Sequence, residues 1–363
     1  MKINKVLTLC LSPDQGGLEL YFTKLVQHYR NMGYKIHAAC MKSSYIANSI
    51  IDNKIECTDT FFLRDIINFF VLRKYIIKNK LNILHVSWSK DIFMAVMLKL
   101  LTPGNIKIIF YRQMKIPHSK TIFYHKFFYR NIDLVLVITD KLYKEAHRNL
   151  PIDKDKIKKL TYGISKPKSN IKLNKSDFMN SNNIDSEIFS IGIFSRVEEQ
   201  KGQHLVLDAM NMSSNHMQLC IIGHVMSQQY KEDLLINAKI YHLTNYLKFI
   251  NFVDSPMSYM PFFDLVILPT YEETFGLVAA EAMIMGVPVI GSDAGGVPEI
   301  ISHGTNGLLF ETKNANDLSK KIDMLYENKT LREQLVSNAS EYAYKRYDYD
   351  KHFDRLEEIF DSL

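Results

Sequence analysis

Short apolar segments alternate with longer amphipathic segments over most of the chain. Continuous apolar runs of about four to eight residues are typical of strands buried on both faces, and strand–helix alternation indicates parallel sheets covered by helices. The predicted strands are 5–11, 35–40, 83–87, 107–111, 134–139 and 157–161 in the first half, and 189–194, 218–222, 247–250, 265–268 and 287–291 in the second. The fold class is therefore α/β, with two doubly wound, Rossmann-like domains.

A polar segment separates the two halves. Residues 166–187 are rich in Ser, Asn and Lys and poor in large apolar side chains, so we interpret them as a linker. The predicted domains are then 1–165 and 188–350, followed by a helix over 351–363. A chain of 363 residues is comfortable for two domains. In sheets of this kind, ligands bind outside the carboxyl ends of the strands.

Positive charge is concentrated in the first half. Residues 1–164 carry 27 Lys and Arg against 12 Asp and Glu, whereas residues 165–363 carry 18 against 27. This asymmetry indicates an anionic partner for the first half. No nucleic-acid module is recognisable, so an anionic membrane surface or lipid-linked acceptor fits better. Residues 61–80 mix apolar residues with five Lys and Arg, as an interfacial helix would; a surface helix packing one face on a sheet is the alternative.

The remaining composition, 47% hydrophobic and 23% charged, is typical of a globular protein. The four cysteines show no metal-ligand spacing and are expected to be reduced, packed thiols of a cytosolic protein: Cys10, Cys40, Cys57 and Cys220. No segment is apolar enough to span a membrane. The N-terminal apolar run is short and leads into a Gly-Gly pair, so we interpret it as a strand rather than a signal peptide.

A strand, a turn and a helix follow one another near residue 270. After the apolar run 264–269, Thr274 is a possible N-cap, Gly276 opens the backbone to a ligand, and a helix is predicted over 277–285. A helix start of this kind suits a phosphate. Glu273 lies in the turn and Glu281 about two turns into the helix, where carboxylates could take sugar hydroxyls. On spacing alone, an ordinary solvated helix start is the alternative.

Residues 269–301 resemble the signature segment of the retaining family 4 glycosyltransferases, which have the two-domain GT-B fold with a central cleft. The matching positions include Glu273, Phe275-Gly276, Glu281, 286–290 and 295–299. The resemblance implies that Glu273 contacts the donor sugar, that Glu281 holds the ribose hydroxyls and that the backbone of Gly276 and Leu277 binds the diphosphate. It also implies that the C-terminal helix crosses back to the first domain.

Two further loops match the same family. Arg196 and Lys201, after strand 189–194, resemble its phosphate-binding cations, which would stabilise a departing nucleoside diphosphate. Gly16-Gly17, after the first strand, resembles its glycine-rich loop, which faces the donor phosphate and the acceptor. Taken alone, the cations are usually solvated and the Gly-Gly pair is a plain tight turn. Donor-lining segments are also implied at Asn251, Phe252 and Val253, where the nucleobase is held largely by backbone atoms, and at Gly295-Gly296.

One position departs from the family pattern. After strand 107–111 relatives commonly place a His near the donor sugar, but this chain has Arg112-Gln113, and Gln cannot titrate near neutral pH. His85, at the end of another strand, is a further candidate for the acceptor side, although a structural role is the alternative. No metal site is expected, because the acidic triplets 153–155 and 185–187 lack the flanking strand of an Asp-x-Asp metal motif.

The resemblance thus implies a retaining, metal-independent hexosyltransferase. The donor would be a UDP- or GDP-sugar bound mainly to the second domain, with no other cofactor. The acceptor would be a hydroxyl of a glycan or lipid-linked molecule bound to the first domain, in polysaccharide, lipopolysaccharide or glycolipid biosynthesis. The expected location is the cytoplasm, with peripheral association at the inner face of the membrane. The alternatives are a GT-B-fold sugar-nucleotide epimerase and a non-catalytic nucleotide-sugar-binding subunit.

Overall fold

The computed structural model describes residues 5–50, 54–58, 64–167 and 174–363, which form two compact units. Unit 1 comprises residues up to Thr161 together with Asp350–Leu363, and unit 2 comprises Tyr162–Tyr349. Each unit is built on one parallel sheet with helices between successive strands. The predicted fold class, two doubly wound α/β domains, is confirmed.

Unit 1 holds a seven-stranded sheet in the order β3-β2-β1-β4-β5-β6-β7. Its strands are β1 (Val6–Cys10), β2 (His37–Met41), β3 (Lys54–Cys57), β4 (Ile83–Val86), β5 (Lys107–Arg112), β6 (Leu134–Val137) and β7 (Ile157–Lys159). Its first six helices are α1 (Gly17–Asn31), α2 (Tyr45–Ser49), α3 (Arg64–Asn79), α4 (Ile92–Leu101), α5 (Phe123–Arg130) and α6 (Asp140–Asn149). The central strands β1 and β4 are buried at every position, as parallel strands covered on both faces should be.

Unit 2 holds a six-stranded sheet in the order β10-β9-β8-β11-β12-β13. Its strands are β8 (Phe189–Phe194), β9 (Met217–Ile222), β10 (Leu247–Ile250), β11 (Leu265–Leu268), β12 (Val289–Ser292) and β13 (Leu308–Phe310). Its helices are α7 (Lys175–Ser181), α8 (Gln203–Met212), α9 (Gln228–Ile240), α10 (Leu277–Ile284), α11 (Ala315–Glu327) and α12 (Lys329–Arg346). Strand and helix residues such as Ile191, Leu219 and Leu318 form one continuous apolar core.

All eleven predicted strands are present, with ends shifted by at most two residues. The strands β3 and β13 were not predicted, and both lie at sheet edges. Strand β3 is partly exposed and has charged side chains at alternate positions, while β13 has only three residues, so neither has a long apolar run. The search for apolar runs therefore identified the buried strands and missed these two edge strands.

The predicted linker 166–187 contains helix α7, whose Phe178 ring lies 4.9 Å from Tyr259 and 5.5 Å from Phe262 between centroids. This part of the segment packs within unit 2, while residues 168–173 lie outside the described residues. No helix in the described parts of the chain combines the length and apolar character needed to cross a bilayer. The four cysteines are all buried and free.

The C-terminal helix α13 (Tyr349–Ser362) groups with unit 1 from Asp350 onward. Its Phe353 ring stacks on His28 of α1 at 3.7 Å between centroids, and Tyr21 Oη lies 2.8 Å from His352 Nε2. The carbonyl of Thr161 accepts from His352 Nδ1 at 2.7 Å. These contacts fix the last helix of the chain onto the first.

Two buried histidines occupy the core of unit 1. His85 is fully buried, with Nδ1 lying 3.1 Å from Thr8 Oγ1, and His352 is nearly so. Burial lowers the pKa of His85 to about 3 and that of His352 to about 4, because a charged ring would lose its hydration there. Positive charge on His352 lowers the pKa of His85 further, and His28 and Arg355 do the same for His352. Both rings are therefore neutral in the folded protein.

The stability of unit 1 should fall in mild acid. In the unfolded chain both histidines protonate near pH 6.5, whereas in the folded chain they stay neutral until about pH 3 to 4. Lowering the pH from 8 to 5 should thus cost on the order of 2 kcal/mol of unfolding free energy per histidine. The measurement is urea unfolding followed by the fluorescence of Trp88, the single tryptophan, which lies in unit 1.

A His352→Gln variant is the control for this acid dependence. Glutamine keeps hydrogen-bonding capacity but does not titrate, so the variant should lose about half of the slope attributed to the two histidines, whatever its absolute stability. Equal slopes for the variant and the wild type would contradict the assignment of the acid dependence to these rings.

Candidate active site

The candidate site of unit 2 lies where its strand order reverses. Strands β8 and β11 are neighbours at the centre of the sheet, and their following connections run to opposite sides. Ligands of doubly wound sheets bind at this switch point, outside the carboxyl ends of the strands. The loops that leave these two strands, 195–202 and 269–276, contain five of the residues predicted from the sequence: Arg196, Lys201, Glu273, Phe275 and Gly276.

The side chains of Lys201 and Glu273 meet at this edge. Lys201 Nζ donates to Glu273 Oε2 at 2.9 Å, and the two side chains are 21% and 30% exposed. Both are thus accessible to a ligand while remaining partly desolvated, which strengthens their interaction relative to a surface pair. The structure brings together a cation and a carboxylate that lie 72 positions apart in the sequence.

Backbone contacts between the loops hold this pair in place. The carbonyl of Gln200 accepts from the amide of Tyr271 at 3.0 Å and from Thr270 Oγ1 at 3.3 Å. Gly202 has a positive φ of 67°, and a Cβ added there would lie 2.1 Å from the carbonyl oxygen of Pro269. Any larger residue at Gly202 would therefore push the Lys201 loop away from the Glu273 loop.

The Gly295-Gly296 pair also supports the Glu273 loop. The amide of Gly296 donates to the carbonyl of Glu273 at 2.8 Å. A Cβ on Gly295 would lie 1.9 Å from the Glu273 carbonyl oxygen, and one on Gly296 would lie 2.3 Å from that of Thr274. The Gly295-Gly296 segment, expected beside the donor, thus packs directly on the backbone that carries the carboxylate.

Helix α10 begins immediately after this loop. Gly276 is its N-cap, with a left-handed φ of 96° and no side-chain cap, so the expected N-cap role of Thr274 is wrong. The helix starts at Leu277, directly after the turn at Gly276. Glu281 therefore lies little more than one turn into the helix, not the two turns expected. Phe275 is buried against Tyr162 and Tyr347, at 5.1 and 5.7 Å between ring centroids, and anchors the turn. The positive helix end therefore opens toward the same edge as Lys201.

Arg196 lies at the exposed rim of the site. Its Nη2 pairs with Glu198 Oε1 at 2.9 Å. The backbone below it is fixed by fully buried Gln203, whose Nε2 donates to the Arg196 carbonyl at 2.8 Å. Gly223 permits a further close approach, since an added Cβ would lie 2.2 Å from the Ser195 carbonyl oxygen. The Arg196 side chain is about half exposed and can be reached by a ligand, whereas its backbone is fixed by these contacts.

The segment predicted to line a nucleobase follows β10. Asn251 is exposed, while Phe252 and Val253 are partly buried. The Phe252 ring stacks on His224 with centroids 4.7 Å apart and planes within 8° of parallel. His224 is linked to the β8 loop through its carbonyl, which accepts from the Val197 amide at 2.8 Å. A flat aromatic pair therefore borders the loop that carries Arg196.

A histidine that the sequence analysis did not single out supports the centre of the site. His204 Nδ1 lies 2.7 Å from Tyr230 Oη, and its Nε2 lies 2.6 Å from Tyr271 Oη. Burial lowers the pKa of His204, although Asp208 and Glu199 oppose this shift. A neutral ring offers one donor and one acceptor, so His204 bridges the two tyrosines and fixes Tyr271 two residues before Glu273. Its position early in α8 gave no signal in the sequence.

The predicted site residues of unit 1 lie at the start of α1, in β4 and at the end of β5. Gly16 is the N-cap of α1 and Gly17 its first residue, so the Gly-Gly pair opens a helix as predicted. Arg112, at the end of β5, donates through Nη2 to the Lys115 carbonyl, and Gln113 is buried. Of the two interpretations of His85, full burial favours the structural role over the acceptor-side role, because β4 is buried at every position and its side chains lie in the core.

Substitution of Gly295 by alanine should damage the site more than the same change at Gly304. Both glycines have φ near +70°, so each variant should lose about 1–2 kcal/mol from backbone strain. Only at Gly295 does the new Cβ meet a neighbour, the backbone of Glu273, whereas nothing lies within 4 Å at Gly304. Gly295→Ala should unfold at a lower urea concentration than Gly304→Ala and should bind a nucleoside diphosphate more weakly. Indistinguishable variants would contradict the supporting role.

Comparisons with known proteins agree with this geometry. Residues 174–342 match the family "Glycosyl transferases group 1", and residues 15–165 match "Glycosyltransferase Family 4". An uncharacterised glycosyltransferase of Methanocaldococcus jannaschii is 30% identical over 60% of this chain; the match spans 56% of that relative's length. A second uncharacterised glycosyltransferase of the same organism is 24% identical over 97% of this chain and 96% of its own.

Similarity to solved structures extends over the whole chain. The crystal structure of Anabaena HepE in complex with UDP superimposes with a TM-score of 0.83 at 20% identity, covering 99% of this chain and 100% of HepE. At this identity the likeness establishes the fold, which is GT-B. With both halves of the sequence matched by family descriptions, the chain belongs to the group 1, family 4 glycosyltransferases.

Proposed function

We propose that this protein transfers a hexose-type sugar, with retention of configuration, from a nucleotide sugar to a hydroxyl of a glycan or lipid-linked acceptor. The observation that carries the proposal is the Lys201–Glu273 pair beside the start of α10, at the switch point of unit 2. It combines positive charge for a diphosphate with a carboxylate for sugar hydroxyls. A cell-surface polysaccharide, lipopolysaccharide or glycolipid is the product class that fits such an acceptor.

Stabilisation of the leaving group follows from fixed charges. When the glycosidic bond to the diphosphate breaks, negative charge develops on the phosphate oxygens, and preorganised cations and helix amides lower the energy of that state. The Lys201 ammonium has three donors, so it can hold Glu273 and a phosphate oxygen together. Arg196 can leave Glu198, which is 25% exposed, and bind phosphate in a forked geometry. This arrangement supplies positive charge without a metal ion, and we propose metal-independent chemistry.

The remaining groups position the donor. Glu273 accepts hydrogen bonds from donor sugar hydroxyls, and Glu281, one turn into α10, accepts those of the ribose. The Phe252–His224 pair offers an aromatic surface for the base. A uridine nucleotide is the proposed donor class, supported by the UDP complex of HepE, which shares the fold. In a retaining transfer on one face, a leaving phosphate oxygen takes the proton of the acceptor hydroxyl while the new bond forms.

The acceptor is assigned to unit 1, which is more basic, with Gly16, Gly17, Arg112 and Gln113 as the candidate contacts. An acid–base histidine is not required by the phosphate-assisted route, which fits Gln113 in the position where relatives commonly have a histidine. The proposed location is the cytoplasm, with association at the inner face of the membrane through the basic half of the chain.

Thermal unfolding should identify the donor class. UDP, GDP, ADP and CMP, each beside its common sugar conjugates, are compared on the wild type and on Glu281→Ala. A ligand at about 100 times its Kd adds about 2.7 kcal/mol of stability, which is readily measured. The uridine compounds should stabilise the wild type, and the variant should lose most of that shift. Stabilisation by another base alone would reject the uridine assignment, and no shift from any compound would favour a non-catalytic subunit.

Removal of either cation should reduce turnover. Arg196→Ala and Lys201→Met should each lower the kcat of donor hydrolysis on the order of 10²-fold or more, because each acts on charge that develops in the transition state. Lys345→Met is the matched control, since Lys345 makes an exposed ion pair with Glu341 in the same unit and should leave kcat unchanged. The rate should persist in EDTA. Loss of rate in EDTA with rescue by Mn²⁺ would overturn the metal-independent mechanism.

A further inference from the structure

Helix α8 begins without a side-chain cap of its own. Its N-cap is Gly202, and its first two residues are Gln203 and His204. The first amides of a helix have no partner inside the helix. Tyr230, in the first turn of α9, supplies one, because its Oη accepts from the His204 amide at 3.1 Å. A side chain of the neighbouring helix therefore caps the start of α8.

The same hydroxyl group determines which nitrogen of the His204 ring carries the proton. Tyr230 is buried, so its hydroxyl hydrogen needs an acceptor, and His204 Nδ1 lies 2.7 Å from its Oη. We therefore assign Nδ1 as the acceptor and place the proton of the neutral ring on Nε2, which donates to Tyr271 Oη at 2.6 Å. The hydrogen bonds then run in one direction, from the His204 amide through Tyr230 and the ring to Tyr271.

Tyr271 belongs to the loop that carries Glu273. Its amide donates to the carbonyl of Gln200 at 3.0 Å, one residue before Lys201. Tyr271 thus attaches this loop to α8 through its hydroxyl group and to the Lys201 loop through its backbone. The ion pair between Lys201 and Glu273 lies between segments that the His204 bridge holds together.

A second proton on the His204 ring is incompatible with this bridge. A charged imidazole donates from both nitrogens, so Nδ1 could no longer accept, and the hydroxyl hydrogen of Tyr230 would be buried without an acceptor. The charge would also lie at the positive end of α8. Burial lowers the pKa of His204 from its ordinary value of 6.5. Because a released ring binds its proton more readily than the bridged ring, a fall in pH below 6.5 favours release.

Two carboxylates near His204 oppose the effect of burial. Asp208, one turn further along α8, and Glu199, in the loop after β8, both raise the pKa of His204. Asp208 also accepts from Tyr241 Oη, at the end of α9, at 3.0 Å. These carboxylates bring protonation of the ring closer to mild acid.

The other charged groups around the bridge belong to α11 and the loop before it. Lys313 Nζ lies 4.7 Å from the centre of the Tyr271 ring, so a cation is already present beside the bridge and disfavours a second one. Helix α11 packs on α8, and its Asp317 and Lys321 pair with each other at 3.5 Å. Their charges therefore largely cancel.

We propose that His204 is a positioning residue of the donor site and that it acts in its neutral form. The neutral ring ties the Glu273 loop to the start of α8, whereas protonation releases Tyr271 and loosens that loop. Donor affinity should consequently fall in mild acid. The link to the donor rests on the proposed function, while the order of the loop is a property of the protein alone.

Hydrogen–deuterium exchange measures the loop without a ligand. Peptides that cover residues 269–276 are compared at pH 7.5 and pH 5, and each rate is divided by the rate of an unstructured peptide at the same pH. In the wild type this corrected rate should rise about fivefold in acid, as loss of about one hydrogen bond would produce.

Three variants separate the contributions. His204→Gln keeps a donor and an acceptor but does not titrate, so its loop should exchange slowly at both pH values. Tyr271→Phe removes the bridge, so its loop should exchange rapidly at both. Tyr241→Phe is the matched control, because it removes a hydroxyl group that binds Asp208 of the same helix, and it should keep the acid response of the wild type.

The differences between these proteins decide the proposal. The other histidines are present in all four, so they cannot produce a difference in acid response. An equal acid response in His204→Gln and the wild type, or slow exchange in Tyr271→Phe at pH 7.5, would overturn the proposal. Melting curves check folding. If His204→Gln is unfolded, Tyr271→Phe decides alone, since a persistent acid response in a protein that keeps His204 but lacks the bridge would equally refute it.

Binding of UDP-glucose connects the loop to the donor. Both of its phosphates are esterified, whereas the terminal phosphate of UDP titrates near about pH 6. Its Kd, measured by calorimetry, should rise about fivefold from pH 7.5 to pH 5 for the wild type and less than about twofold for His204→Gln. An acid-sensitive loop with acid-insensitive binding would reject the positioning role. Absence of binding to all four proteins at pH 7.5 would count against the proposed uridine donor, whereas the exchange data decide the His204 bridge by themselves.

Discussion

The candidate active site depends on how closely three backbone loops approach one another at the centre of the unit 2 sheet. At Gly202 and Gly295, a single added carbon would lie about 2 Å from a carbonyl oxygen of the facing loop. These approaches bring Lys201 to 2.9 Å from Glu273 and leave the start of α10 open at the same edge. Side-chain chemistry at the site is thus a consequence of backbone packing that glycine alone permits.

This constraint explains which parts of the site could be predicted from the sequence. Apolar runs identified the buried strands, and the turns after β8 and β11 placed Arg196, Lys201 and Glu273 at strand ends, where doubly wound folds bind ligands. The pairing of Lys201 with Glu273 could not be predicted, because it depends on a contact between loops far apart in sequence. The bridge from Tyr230 through His204 to Tyr271 was missed for the same reason.

The errors have local causes. Thr274 is a common N-cap residue, yet the chain reverses at Gly276, whose left-handed backbone ends the turn two residues later. For His85 the sequence left a structural role open beside an acceptor-side one, and burial of β4 at every position favours the structural role. Strands β3 and β13 lie at sheet edges, where partial exposure or short length removes the apolar run. In each case tertiary packing overrides a local signal.

Charge is distributed unevenly within unit 1. The C-terminal segment 350–363 contributes five acidic and two basic residues to a unit whose remaining chain is strongly basic. These acids cluster on α13, where burial and the neighbours Asp354 and Asp361 raise the pKa of Glu357. The packing of α13 on α1 therefore lowers the positive charge near those helices, whereas α3 and α5 keep their exposed lysines and arginines. An anionic ligand approaching unit 1 is thus attracted more strongly to α3 and α5, where apolar side chains are also exposed, than to α13.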